Sequence, residues 1–385
     1  MLKERKGRQL QEPQYLPLEE VALQVPVVET APADTQQIAR GPKELFSGNL
    51  AYNLNRLYSR MSGSSLRLQQ FSVGSSAPKK VVLAFLHDRV NPEILTEVTQ
   101  RISGIQAETI LDSSYIERNI EDSSLSPFPQ AETTQRPDVA ESALFQGRVA
   151  VLVDGSPEAL LVPATFFDQM DTIDDAYSRW FVAGSFFRIA RYIMFILASS
   201  LPGFYIALTS FNPEMIPTKL AFLIAGSRDA TPFPVYFEAF LLMGVAEAVR
   251  MMMIRLPTQL GSTIALFSGV TLVGAGIAAK IISIPITMIA TLTLISSYGI
   301  PNSDLRQAVR LIQFFTMLMA TTLGLFGFAM AFIYIAIHLS ALKSFGIPYL
   351  SPLSPLEGSG WGHTILRENT VSMSQDETYK PVSEK

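Results

Sequence analysis

LIQFFTMLMATTLGLFGFAMAFIYIAI, residues 311–337, contains no charged side chain and no proline. A helix of about 20 apolar residues crosses the hydrocarbon core of a bilayer, which is about 30 Å thick. Built as one helix this segment would run about 40 Å, so it must tilt or protrude. Three more stretches have the same character: IARYIMFILASSLPGFYIALTSF (189–211), with only Arg191 charged and a kink expected at Pro202; GSTIALFSGVTLVGAGIAA (261–279); and ISIPITMIATLTLISSYGI (282–300). Between Ile189 and Ala341 there are thirteen charged residues, out of 30 Lys+Arg and 34 Asp+Glu in the 385-residue chain. The low charge content, 17%, is therefore a regional property.

A fifth stretch, FPVYFEAFLLMGVAEAVRMMMI (233–254), is apolar but carries Glu238, Glu247 and Arg250. A charge at the centre of a membrane helix costs about 2.5–3.5 kcal/mol, and a strongly apolar residue returns about 0.3–0.6. The three charges thus offset much of what the segment gains. Glu247 and Arg250 are three apart, share a helix face and can pair. Glu238 lies about half a turn round and needs another neighbour. The segment either spans inside a bundle or lies in the interface. Counting loop cations, five crossings place Arg179, Arg188, Arg191, Arg250, Arg255, Arg306 and Arg310 beside the N-terminal domain, against Lys219, Arg228, Lys280 and Lys343 opposite. The excess of basic residues on cytoplasmic loops favours five crossings, with the N-terminal domain cytoplasmic. Just before the first span, Tyr177, Arg179, Trp180, Arg188 and Tyr192 suit an interfacial helix entering the bilayer.

Upstream the pattern changes. KKVVLAFL (79–86) reads as a buried strand. NPEILTEVTQRISG (91–104) has helical spacing, with Pro92 in the first turn and Gly104 as a stop. DSSYIERNIED (112–122), capped by Asp112 or Ser113, and RPDVAESALFQG (136–147) predict two more helices. RVAVLVDGSPEALLVPA (148–164) predicts a hairpin around Asp154-Gly155-Ser156-Pro157. The fold class that follows is a soluble N-terminal α/β domain, then an all-α polytopic membrane domain of about five helices, one of which suits the interface. Boundaries fall at 1–40 (a polar, disordered arm), 41–170 (α/β), 171–343 (membrane) and 344–385 (a polar tail).

Composition excludes several chemistries. The chain has no cysteine, so disulfides, thiolate metal sites and cysteine nucleophiles are absent. Its three histidines, His87, His338 and His363, are scattered. The net charge of −4 gives no basic excess for nucleic acid. No P-loop, metal-ligand spacing or Ser–His–Asp grouping suggests an enzyme, and no cofactor is expected.

Several motifs, in order along the chain, carry a family resemblance: RGPKELF (40–46), SPFPQAETTQRPD (126–138), GRVAVLVDGSPEALLVPATFF (147–167), TPFPVYFEA (231–239), RLPTQLG (255–261), SYGIPN (297–302) and KSFGIPYLSPLSP (343–355). The chain resembles the A subunit of the GerA family of spore germinant receptors, from about Arg40 to Pro355. That resemblance implies a subunit of the spore inner membrane working with a transporter-like B subunit that binds the nutrient and a lipoprotein C subunit. It also implies oligomerisation into a nutrient-gated channel for monovalent cations. Two departures stand out. Family members have a longer soluble region of two subdomains, and the residues before Arg40 are too few and too polar for the first. Their amphipathic segment tends to carry further acidic residues and a glycine, where this chain has Met243, Met251 and Met253.

The candidate intramembrane residues are therefore Glu238, Glu247 and Arg250, as the lining of a cation path or as a structural pair with Glu238 at headgroup level. Ala265 with Gly269, and Gly274 with Ala278, are small-xxx-small pairs that allow close helix approach, within the chain or between subunits. A transporter or a scaffold without its own pore is the alternative function, weakened by the lack of an evident inverted repeat.

Overall fold

The computed structural model describes residues 14–15, 42, 44–62, 64–172, 181–255, 258–354 and 379; for 14–15, 181–183, 258–262 and 265 it describes the backbone alone. The arm 1–40 apart from Gln14–Tyr15, the residues Tyr177, Arg179 and Trp180, the Ala265 side chain, and the tail beyond Ser354 apart from Tyr379 lie outside the described residues. The chain forms two units, one of Met1–Arg188 with Leu339–Lys385, the other of Ile189–His338.

In the first unit an antiparallel sheet has the order β1-β2-β3-β5-β6-β4. Its strands are β1 (Gln14–Tyr15), β2 (Leu66–Val73), β3 (Lys79–Leu86), β4 (Glu132–Thr134), β5 (Val149–Val153) and β6 (Ala159–Val162). Side chains alternate across a pleat, so β3 sends Val81, Leu83 and Phe85 to one face and Val82, Ala84 and Leu86 to the other. Both faces are covered. The first packs on α2 (Pro92–Ser103) and α3 (Ser113–Ile120) through Ile94, Val98, Ile102, Ile116 and Ile120. The second packs on α1 (Leu50–Arg60) and α4 (Pro137–Phe145) through Leu50, Leu54, Leu57, Ala140 and Leu144. A continuous apolar strand such as VVLAFL is what a sheet buried on both sides requires.

The caps follow the sequence closely. Asn91 accepts from Glu93 N (3.0 Å) ahead of Pro92, and Asp112 accepts from Ser113 N (2.7 Å). The β5–β6 hairpin pairs Val149 with Val162 and Leu152 with Ala159. Gly155 takes φ +87°, a left-handed turn position that favours glycine, and its N–H donates to Gly48 O at 2.9 Å. A capping box on Thr165 and Asp168 starts the short α5 (Phe166–Met170).

The segment after the helical unit belongs to this first unit. β7 (Lys343–Ser344) and β8 (Ile347–Pro348) form a small hairpin. The Ser344 hydroxyl donates to Gln130 O (2.7 Å) and accepts from Ala164 N (3.1 Å). Phe345 N donates to Asp122 (2.6 Å), and the Phe345 ring joins the α2/α3 side of the core. Phe166 N donates to Tyr349 O (2.9 Å), and burial pushes the Tyr349 hydroxyl pKa up. Tyr379 donates to Asp168. The stretch grouped as a polar tail from 344 is thus, over 344–354, packed structure.

The second unit consists of helices: α6 (Phe181–Phe211), α7 (Thr218–Arg228), α8 (Val235–Arg255), α9 (Thr258–Ala278), α10 (Ile284–Tyr298) and α11 (Ser303–Ala341), with the first residues of α6 and the last of α11 lying in the first unit. Among the described residues, Gly184–Phe211 and Ser303–Ala341 are long and apolar enough to cross a membrane; Leu266–Ala278 and Ile284–Tyr298 are apolar but shorter. Helix α8 packs on α9 and α10. A core of Ile206, Val235, Leu242, Met243, Ile286 and Met317 joins α6, α8, α10 and α11.

Helix α11 is not one straight rod. Gly324 takes φ +61° and ψ −140° within it. The Phe315 and Tyr334 rings, nineteen residues apart, have centroids 5.8 Å apart; a straight helix would separate them by about 28 Å. The chain therefore doubles back at Gly324, with arms 303–323 and 325–341. This removes the length excess that would make a single span tilt or protrude. Arm 303–323 runs parallel to α6: Gly203 approaches the Thr316 backbone, and Gly324 the Phe211 ring. The returning arm comes down beside the same helix, Phe328 lying 5.5 Å from Phe204 between ring centroids. Beside Pro202, which donates no N–H to the α6 ladder, the Thr316 hydroxyl donates to Ser199 O at 2.9 Å.

These contacts fix helix directions. The start of α6, the ends of α8 and α10, and both ends of α11 share one end of the second unit. The start of α8 meets the start of α10 at the other. Five arginines (Arg191, Arg250, Arg255, Arg306, Arg310) with Glu247 and Asp304 occupy the first end; Lys219, Arg228 and Lys280 with Glu214, Asp229 and Glu238 occupy the second.

Candidate functional site

The polar side chains singled out by sequence separate into two clusters, one per end of the helical unit. Glu238, one turn into α8, is 1% exposed. Its carboxylate accepts from Ser283 N (2.9 Å), the Ser283 hydroxyl (2.7 Å) and Arg228 (3.1 Å). Ser283 is the N-cap residue of α10, yet its own side chain makes no cap bond. Glu238 supplies the cap from the neighbouring helix, where the free N–H groups and the helix dipole favour negative charge. Arg228 also donates to Phe233 O at 3.1 Å. The buried Tyr205 hydroxyl, within electrostatic reach of Arg228 and Glu238, has no hydrogen-bond partner. A buried carboxylate is costly unless paired and hydrogen-bonded; here both conditions hold.

At the opposite end Glu247 accepts from Arg250 at 2.7 Å, the pair that the i, i+3 spacing predicts, and from Arg310 at 3.0 Å. Arg310 is on α11, so the carboxylate ties α8 to α11. Arg306 donates to Ile300 O (3.0 Å) and Pro301 O (3.3 Å), the carbonyls that close α10. Arg250 and Arg306 lie over the Tyr298 ring, at 5.7 and 5.9 Å from its centroid.

Sequence reasoning identified Glu238, Glu247 and Arg250 but not the partners Arg228, Ser283, Tyr298 and Arg310. One signal was available: Arg306 and Arg310 are four apart in PNSDLRQAVR and share a face of a helix starting at Ser303. Nothing local marks Ser283 as a partner of a residue 45 positions earlier. Among the described residues nothing packs on Gly269 or Gly274 of α9: a Cβ on either would meet nothing within 4 Å, and Ala278 is exposed. Gly276 instead lies against Ile282.

Among the described residues the first unit buries Arg136 with Asp138 at 2.8 Å, both at the start of α4, and a wider cluster around Arg148. Arg148, 2% exposed, donates to Glu132 (2.7 Å), Pro163 O (2.8 Å) and Leu161 O (3.3 Å), with Asp168 at 3.9 Å. Burial works against the guanidinium charge, but Glu132 and Asp168 more than offset it, and the Arg148 pKa rises. Burial raises the Glu132 pKa, assisted by Asp168 and Asp171 and opposed by Arg148. Every acceptor on Arg148 comes from β4, β6 or the loops after β6, so its role is to join them. A groove of about 500 Å³ beside the end of β3 includes Arg60, Ser65, Asp88 and Arg89. Its charges are engaged within the unit: Arg60 with Glu141 (2.8 Å), Arg89 with Phe145 O (2.9 Å) and Asp88 with Ser65. Among the described residues no three His, Asp or Glu side chains converge as a metal site.

A family model described as Bacillus/Clostridium GerA spore germination protein matches residues 23–379. The chain is 36% identical to spore germination protein GerLA of Bacillus cereus over 338 residues, 87% of this chain and 68% of that protein. It is 35% identical to spore germination protein B1 of Bacillus subtilis (strain 168) over 344 residues, 89% of this chain and 71% of that protein. It is also similar to the crystal structure of the N-terminal domain of the A subunit of the Bacillus megaterium spore germinant receptor GerK3, at 33% identity across 32% of this chain and 98% of that one, with a TM-score of 0.27. With residues 23–379 matched, from ahead of the α/β sheet's second strand to the tyrosine docked on Asp168, the protein belongs to the GerA family of spore germination proteins.

Proposed function

We propose that this chain is the A subunit of a nutrient germinant receptor in the spore inner membrane, that it oligomerises there, and that with a nutrient-binding B subunit and a lipoprotein C subunit it forms a nutrient-gated cation channel. The observation that carries this reading is the pair of carboxylates, Glu238 and Glu247, held by arginines within a helical unit of low charge content. Intramembrane ionisable groups mark ion paths or the switches that control them. Both carboxylates are satisfied by their own chain, so the arrangement described is the closed one. Opening would release Glu238 from Arg228 or Glu247 from Arg250 and Arg310, making the oxygens available to cations. Gly274 and Ala278, one turn apart on α9 with no described residue against Gly274, are where protomers would approach closely.

The arginine-rich end of the helical unit would be the cytoplasmic one, as the excess of basic residues on that side of membranes favours. The test is reconstitution in liposomes. Nutrient-dependent cation release that needs all three subunits supports the reading. Saturable solute uptake by this chain alone assigns it to transport, and neither activity leaves it a scaffold. Glu247→Gln in the active assembly should reduce cation release at least several-fold; wild-type release would reduce Glu247 to a structural clip.

A further inference from the structure

Of three arginines clustered at one end of the helical unit, two share one carboxylate. Arg250 and Arg310 both donate to Glu247, and Arg306 donates only to main-chain carbonyls. Among the described residues the buried Nε–H groups of Arg250 and Arg306 have no hydrogen-bond partner. Guanidinium groups carry five donors in a planar fork suited to phosphate oxygens, and unsatisfied buried donors cost about 1–3 kcal/mol each. Tyr298, between the two guanidiniums, is 57% exposed. Apolar side chains flank the cluster on the outer surface: Ile295 one turn before Tyr298, Leu311 beside Arg310, and Ile254 one turn after Arg250, at 60, 62 and 80% exposed. A cationic, donor-rich cluster beside an exposed aromatic ring, with exposed aliphatic side chains nearby, is complementary to a phosphate headgroup with its acyl chains attached.

We propose that the cluster of Arg250, Arg306, Arg310 and Tyr298 binds the headgroup of an anionic phospholipid, with the phosphate on the guanidiniums and the acyl chains along Ile295 and Leu311. A free phosphate would satisfy the same donors but would leave the aliphatic border in contact with water or other lipid, which is the ground for choosing the lipid. The site clips the ends of α8 and α10 to the start of α11. It rests on the helical unit being in a bilayer, and not on channel activity.

The test uses the full chain in nanodiscs made from a mixture of phosphatidylglycerol and phosphatidylcholine. Native mass spectrometry counts the lipid that stays bound after the disc is stripped. The expected result is selective retention of phosphatidylglycerol, reduced about fivefold for each arginine removed in Arg306→Gln and Arg250→Gln, and unaltered in Lys280→Gln at the opposite end. Arg306→Lys keeps the charge and serves where the glutamine variants do not fold; it should lose part of the retention through loss of the planar fork. Equal retention of the two lipids, unchanged retention in the arginine variants, or displacement of the bound lipid by millimolar inorganic phosphate would each overturn the proposal. A chain that does not enter nanodiscs would instead overturn the membrane reading beneath it.

Discussion

Arg148 shows what a single buried cation does for the α/β unit. It holds Glu132 on β4 and two carbonyls at the end of β6, so the edge of the sheet depends on it. Removing one partner of a buried ion pair typically costs about 3–5 kcal/mol, because the other charge is left unpaired. Arg148→Met should destabilise the unit by that order, read from amide hydrogen exchange of Val149–Val153 in the full chain. The pH dependence has a definite sign. Glu132 has a folded pKa above its reference of 4.5, so its contribution favours the folded state below 4.5 and is lost as pH rises through the folded value. Arg148→Met removes a cause that lowers this pKa and should shift the loss to higher pH. A mutant whose protection has the wild-type pH profile would contradict the pairing. Gly155 is a smaller case. An alanine there would need φ +87°, at about 1 kcal/mol or more, with the Lys79 amine 3.0 Å from the new Cβ; thermal unfolding should register the difference.

At the scale of elements, local signals identified those that have local causes. KKVVLAFL becomes β3, Lys79–Leu86, because a sheet covered on both faces needs an uninterrupted apolar strand. Asn91-Pro92 and Gly104 bound α2 because the cap chemistry is written within four residues of each end. Helix α1 was equally legible and not read: Asn49 caps it, and Leu50, Leu54, Leu57 and Met61 line one face. Strand β2 was obscured by Gln69 and Gln70, since Gln69 is buried despite its amide. The reversal at Gly324 had the weakest signal of all, two glycines in LGLFGF within a run that hydropathy alone cannot interrupt. It has a sharp consequence. In Gly324→Ala a Cβ would come 2.7 Å from the Phe211 ring in a backbone conformation that L residues avoid. The variant should lose about 1–2 kcal/mol or more through left-handed strain alone, lowering the unfolding temperature in detergent, whereas alanine at Gly226, which faces open space, should not.

At the scale of the whole molecule, the partition of charge announced two halves, and the structure has two units. The site was half legible: Glu247 with Arg250 followed from spacing, whereas Glu238 with Arg228 and Ser283 required helices brought together by the fold. The return of the chain was not legible. Phe345 enters a core whose other members precede residue 163, and no periodicity within KSFGIPYL encodes partners more than 180 residues away. Phe345→Ala should cost about 3–5 kcal/mol, with loss of the Arg101 contact over its ring at 4.7 Å, and should be detected as increased proteolysis near residue 345. Residues 343–349 pack on the same unit that precedes α6, and under the proposed membrane reading this requires an even number of passes.

The chain has no native cysteine, so single cysteines at Leu125 (96% exposed), Lys280 and Lys343 can each be probed in sealed vesicles with a maleimide that does not cross the bilayer. The account predicts that positions 125 and 343 react from the same side and 280 from the other. Reaction of 343 together with 280, or of all three from one side, would contradict it.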